Sequence, residues 1–176
     1  NRKVTIATRA LADLASHNLS PTAVQQTPAA ASASSYLKAA AVVMNPYNMA
    51  NTTQSVTLLR VCDATHAYLV WTQTMTQDSS GNVLTSPTTI GTPAAASVVT
   101  IPASMVTSPQ VPVNPDGSTG ICSNYAATNS NKTQVGQAGG YLFAGQVRYL
   151  YTPAIGLGAK TTTTMADAIY MSPRLY

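Results

Sequence analysis

The chain has very little charge and no glutamate. Only 8% of its 176 residues are charged, and the five acidic residues are all aspartates, whereas an average soluble protein has about 25% charged residues. The net charge of +4 therefore reflects the scarcity of acids and not a cluster of bases. The nine lysines and arginines are scattered along the chain. A nucleic-acid-binding protein needs basic side chains clustered on one surface to neutralise phosphates. The composition thus predicts no nucleic-acid partner, and the many hydroxyl and amide side chains favour a protein outside the cytoplasm.

Cysteine and histidine are scarce as well. The two cysteines, Cys62 and Cys122, stand in a chain whose composition favours an oxidising compartment, so we predict that they form a disulfide. The alternative is a pair of buried free thiols. Two histidines and no C-x-x-C pair are too few ligands for a zinc site. No metal or other cofactor is predicted.

The residues that could perform catalysis do not form a recognisable set. His66 follows Asp63 closely, but a serine hydrolase also needs a nucleophile on a sharp turn, and the chain has no G-x-S-x-G motif. Glycosidases use two neighbouring carboxylates, whereas the aspartates are scattered through the sequence. We therefore predict no enzymatic activity and interpret His66 as a surface or capping residue.

Residues 2–17 have the pattern of an amphipathic helix. Apolar side chains recur with helical spacing at Val4, Ala7, Leu11 and Leu14. A helix favours acids in its first turn, so the basic residues Arg2 and Lys3 at this end predict that the helix continues upstream. No run within the chain is long and apolar enough to span a membrane, and we expect that an upstream segment has been cut away.

The hydrophobic period changes along the chain and separates a helical part from a β-rich part. Residues 1–45 carry helical patterns, whereas apolar and polar residues alternate from about residue 54 onward, as in strands. Long loops are predicted within residues 77–138, and an antiparallel hairpin is predicted for residues 139–173. The predicted fold is one α+β domain over residues 1–176, with N-terminal helices packed on a twisted antiparallel β-sheet.

Several segments together resemble one protein family. They are ATRALADLASHNLSP, AAAVVMNPYN, SVTLLRV followed by YLVWTQT, AGQVRYLYTPAIGLG, and AIYMSPRLY. In order and spacing they resemble the TadE/TadG-like minor pilins, or pseudopilins, of the bacterial tight-adherence system of type IV pili. Besides the ALADL stretch at residues 10–14, the matching motif positions are Trp71, Tyr149, Tyr151, Pro153, Pro173 and Arg174.

The resemblance implies a non-enzymatic role in pilus assembly and surface attachment. It implies a pilin-like domain and a transmembrane helix before residue 1, with Arg2 and Lys3 beside the membrane. The implied location is the periplasmic face of the bacterial inner membrane and then the extracellular pilus. The implied partners are the major pilin, other minor pilins and the inner-membrane assembly platform.

Two questions stay open at the level of sequence. The stripe of Val4, Ala7, Leu11 and Leu14 would either hold the helix on the sheet or contact neighbouring pilins. We favour the sheet for most of these residues, because an exposed apolar stripe would be a liability in a monomer. The second question is function: the loops at 77–92 and 105–138, rich in Asn, Ser and Thr, would suit a tip adhesin that binds surface glycans, since function often lies on loops.

Overall fold

The computed structural model describes residues 2–17, 37–38, 42–45, 47–61, 65–78, 82–85, 89–90, 98–105, 141–153 and 162–172. Within these ranges the chain forms helix α1 (Arg2–His17) and seven strands. The strands are β1 (Thr52–Val61), β2 (His66–Gln77), β3 (Val83–Thr85), β4 (Thr89–Ile90), β5 (Val98–Thr100), β6 (Tyr141–Tyr151) and β7 (Thr163–Met171). Residues 37–38 and 42–44 also have helical backbone.

Helix α1 forms because small and apolar residues recur along one of its faces. The buried apolar side chains of that face include Val4, Ala7, Leu11 and Ala15. Two buried hydroxyls on α1 find partners within the helix. Thr8 Oγ1 donates to the Val4 carbonyl at 2.8 Å, and Ser16 Oγ donates to the Asp13 carbonyl at 2.8 Å. The helix therefore buries these polar groups without losing their hydrogen bonds.

All seven described strands belong to one antiparallel sheet, which is curled into a half-barrel. The strand order is β3-β2-β1-β6-β7, and β4 and β5 also pair with β2. The longest strands form its centre, where β1 lies between β2 and β6. Strands β6 and β7 pair antiparallel, as the sequence predicts for the hairpin, with Tyr149 opposite Met165.

The main core lies between α1 and one face of the sheet, which we call the inner face. Its buried sheet residues include Val56, Leu58, Trp71, Met75, Tyr141, Phe143, Val147 and Tyr149. Helix α1 lies mainly over β6 and β7. It approaches β6 closely at Gly145, where an added Cβ would be only 3.1 Å from the Cβ of Ala12. The missing side chain of Gly145 therefore makes room for the helix.

A second, smaller core covers part of the opposite face, which we call the outer face. Leu59, Val61 and Leu142 are buried there together with Ile101, which follows β5. The Ile101 N–H donates to the Thr65 carbonyl at 2.8 Å. This hydrogen bond holds the segment after β5 against the sheet, so the apolar residues of this region are buried on both faces.

A β-bulge in β2 changes which side chains face the core. Leu58 is opposite Trp71 while its neighbour Leu59 is opposite Leu69, so β2 contains one extra residue, Val70, at this point. Strict alternation would place Tyr68 and Trp71 on opposite faces, because they are three residues apart. The bulge puts both on the inner face.

The predicted α+β fold, with N-terminal helices packed on a sheet, is wrong. The structure is mostly β, because more than half of the described residues lie in strands and one short helix packs against the sheet. The physical reason is that the long strands β1, β2, β6 and β7 pair along most of their lengths and curl, and in the described part of the chain α1 is the main element over β6 and β7. The further helices predicted between residues 20 and 44 are described only at residues 37–38 and 42–44, which have helical backbone.

Candidate functional site

The structure places the predicted helix stripe against the chain's own sheet. Val4, Ala7 and Leu11 are buried in the main core, and Leu14 is partly buried. These side chains are occupied by intramolecular packing. A contact between α1 and a neighbouring molecule would therefore use other residues of the helix.

The aromatic motif residues divide into buried and exposed ones. Trp71 is buried, with its ring centroid 6.2 Å from that of Phe143. Tyr149 is 6% exposed and meets the ring of Tyr47 edge-on at 5.3 Å, whereas Tyr151 is 40% exposed. Within the Y-x-Y-x-P strand, Tyr149 thus packs inward whereas Leu150 and Tyr151 are exposed, and Pro153 follows two residues after the end of β6.

Several predictions fall on residues that the structure does not describe. They are the Cys62–Cys122 disulfide and the motif positions Pro173 and Arg174. Of the predicted loops within residues 77–138, only 77–78, 82–85, 89–90 and 98–105 are described, and these include the short strands β3, β4 and β5.

An open groove lies between the outward side of α1 and strand β7. It has a volume of about 420 Å³ and is lined by Ile6, Arg9, Ala10, Asp13, Ile169 and Met171. We call it the α1–β7 groove. Its walls are largely apolar, and Ile6 is 45% exposed although it is a large aliphatic residue. An exposed apolar groove with a polar rim is typical of a contact surface.

The α1–β7 groove runs beside an edge of the sheet. Strand β7 pairs with β6 on one side, and none of the strands in the described part of the chain pairs with its other side. An edge strand presents backbone N–H and C=O groups to an incoming chain. The combination of an apolar groove and an adjacent strand edge suits a protein partner that contributes an extended segment.

Sequence reasoning missed this groove although a signal was present. Ile6, Ala10 and Asp13 are separated by four and three residues, so they form a second stripe on α1 beside the buried one. The sequence could not show that this stripe would lie next to Ile169 and Met171, because that depends on how the helix is placed on the sheet.

A second, more enclosed pocket lies beside the first turn of α1. It has a volume of about 190 Å³ and is lined by Arg2, Lys3, Val4, Met44, Tyr47, Tyr149 and Met165. We call it the basic–aromatic pocket. The Lys3 ammonium donates to the Asn45 carbonyl and lies 5.5 Å from the centroid of the Tyr47 ring. These contacts hold a positive charge beside an aromatic surface.

A buried cation joins three neighbouring strands on the inner face. Arg60 is opposite Tyr68 on β2 and Tyr141 on β6. Its Nη1 donates to the Tyr141 hydroxyl at 2.9 Å, its guanidinium lies 5.2 Å from the centroid of that ring, and it also forms a hydrogen bond with Tyr68. Burying a charge is costly unless such partners replace water, so this cluster orders the ends of β1, β2 and β6.

The Tyr68 hydroxyl should make stability fall at high pH. Burial raises its pKa above the ordinary value of 10.0, although the nearby positive charge of Arg60 partly opposes this. Above pH 10 the unfolded chain therefore loses this proton before the folded protein does. The free energy of unfolding should fall as the pH rises through the folded pKa, by at most about 1.4 kcal/mol per pH unit for one such group.

Urea unfolding of Tyr68→Phe between pH 8 and 11 would measure this contribution. In the variant, the free energy of unfolding should fall less steeply above pH 10 than in wild type, whatever its stability at neutral pH. Tyr151→Phe, at an exposed tyrosine, is the control for removing a hydroxyl. A slope that is the same in wild type and Tyr68→Phe would contradict the assignment.

The described residues show no group of three His, Cys, Asp or Glu side chains that could hold a metal ion. His66 is exposed, and its Nδ1 is 3.0 Å from Thr65 Oγ1. Its predicted neighbour Asp63 lies outside the described ranges.

No protein-family model matches this chain, and no curated protein or solved structure matches it.

Proposed function

We propose that this chain is a non-enzymatic minor pilin that acts in the assembly of a tight-adherence pilus and in surface attachment. The order of its motifs supports this, since an amphipathic first helix is followed by the tryptophan strand and the Y-x-Y-x-P strand. The observation that carries the proposal is the α1–β7 groove, which provides a surface on the first helix for a neighbouring subunit.

The groove fits lateral assembly because α1 has two different sides. The buried stripe that includes Val4, Ala7 and Leu11 holds the helix on its own sheet. The stripe of Ile6, Arg9, Ala10 and Asp13 faces the groove beside the edge strand β7. A subunit that docks there would bury Ile6 and Met171 and could extend the sheet at β7 without disturbing the core.

The proposed partners are the major pilin, the other minor pilins and the inner-membrane assembly platform. In this proposal the protein lies at the periplasmic face of the inner membrane, attached through an upstream helix, and then in the extracellular pilus. No helix among the described residues is long and apolar enough to cross a membrane.

Replacing Ile6 by aspartate should prevent docking at the groove. A charge buried in an apolar contact without a partner is strongly unfavourable, so cross-linked recovery of other pilus subunits should fall by about tenfold or more. The measurement is a pull-down from piliated cells that carry the full-length protein with a photo-cross-linker at Arg9, together with counts of pili and attached cells.

Leu150→Asp is the matched control, because Leu150 is 47% exposed and Ile6 is 45% exposed. Leu150 is itself exposed on β6, like Gln146 and Arg148, and it does not line the groove. The Leu150→Asp variant should therefore assemble normally. Normal piliation and attachment after deletion of the gene would overturn the proposed function. If deletion abolishes piliation while Ile6→Asp assembles like wild type, the function stands and the groove is not the contact surface.

A further inference from the structure

The basic–aromatic pocket is separate from the α1–β7 groove, because the two have no lining residue in common. We infer that this pocket binds a sugar ring that carries a carboxylate, that is, a uronic acid residue of an acidic glycan. The inference goes beyond pilus assembly, and it does not depend on that assembly.

The size of the pocket limits what can enter it. Its volume is about 190 Å³, whereas sites that enclose a whole drug-sized ligand have about 300–1,000 Å³. The pocket therefore holds one ring-sized group, while the rest of a larger ligand extends into solvent. A single residue of a polysaccharide fits this description.

The charges of the pocket favour an anion. Arg2 and Lys3 line it, and none of its other described lining residues is acidic. An arginine presents paired N–H donors that match a planar carboxylate. Lys3 is already held by the Asn45 carbonyl, so its positive charge is in place before a ligand arrives and little side-chain entropy is lost on binding.

The remaining walls favour a ring rather than a small inorganic anion. Tyr47 and Tyr149 meet at an interplanar angle of 62° and form an aromatic corner, with Met44 and Met165 also lining the pocket. The C–H bonds on the face of a sugar ring carry partial positive charge and pack against the negative face of an aromatic ring. A sulfate or phosphate ion would leave this corner unfilled, and a neutral sugar would leave the two cations without an anionic partner.

Calorimetric titration of the purified chain with an oligogalacturonate at about 0.15 M salt, where distant exposed charges are screened, tests the inference. The matching methyl-esterified oligomer and inorganic sulfate are the comparison probes. Arg2→Gln should weaken binding of the oligogalacturonate by about tenfold, because it removes a charge-assisted hydrogen bond. Tyr47→Ala, at a half-exposed ring, should weaken it by a similar factor.

Arg148→Gln is the matched control, because it makes the same change in net charge at an exposed position of β6 that does not line the pocket. It should leave binding within about twofold of wild type, since distant exposed charges are screened by salt. An equal loss in Arg148→Gln would show diffuse attraction and overturn the proposed site. Equal affinity for the methyl ester or for sulfate, or no binding at millimolar oligogalacturonate, would overturn the proposed ligand.

Discussion

Phe143→Ala is expected to destabilise the fold by about 3–5 kcal/mol, the range observed when a fully buried phenylalanine is truncated. Phe143 is the chain's single phenylalanine and is fully buried in the main core. It lies opposite Leu58 on β1 and Met171 on β7, and its ring packs near that of Trp71. Removing it leaves a cavity at the point where three strands meet, and neighbouring side chains can fill such a cavity only in part.

Urea denaturation gives the change in the free energy of unfolding, with the fluorescence of the single tryptophan and far-UV circular dichroism as two independent probes. Coincident transitions would establish two-state unfolding. Leu150→Ala, on the same strand but 47% exposed, should cost less than about 1 kcal/mol. Similar losses in the two variants would show that β6 does not present Phe143 to the core.

Gly145→Val should cost about 2–3 kcal/mol through overpacking. Valine is a favourable residue for a strand, so a loss of stability would come from the helix above it and not from the strand itself. An added Cβ would lie 3.1 Å from the Cβ of Ala12 and 3.3 Å from its backbone nitrogen. The two methyl groups of valine extend further, and α1 must move away from β6 to admit them.

The Ala12→Gly background provides the control for Gly145→Val. The glycine costs about 1 kcal/mol by itself within a helix, but it removes the atom nearest to the new side chain. The cost of Gly145→Val should therefore be smaller in this background than in wild type, and the difference is the coupling energy of the pair. Additive losses would indicate that α1 does not lie over Gly145.

Local periodicity predicted most elements of the described part of the chain. Helix α1 covers residues 2–17 as predicted, and β1, β2, β6 and β7 lie within or near the segments whose residues alternate. These predictions held because helical and strand periods arise from neighbouring residues. The fold class was wrong, because the amount of strand pairing and the curl of the sheet cannot be derived from the period of each strand.

Sequence reasoning found neither of the two candidate sites. The α1–β7 groove brings Ile6 beside Ile169, and the basic–aromatic pocket brings Arg2 beside Tyr47 and Tyr149. Sequence reasoning assigned Arg2 and Lys3 to the membrane surface, named Tyr149 as a motif position, and made no prediction for Tyr47. Only their placement around one pocket indicates a site that binds an anion and a ring together.

The sequence by itself determined where α1 and the long strands form, because these follow from the spacing of apolar residues along a local stretch. The tertiary structure decided the strand order, the bulge at Val70 and the position of α1 over Gly145. These features depend on contacts between distant residues, as when Arg60 reaches Tyr141 across 81 positions of the chain. The physical reason is that strand pairing and helix placement are set by the fit of whole surfaces, which no local pattern encodes.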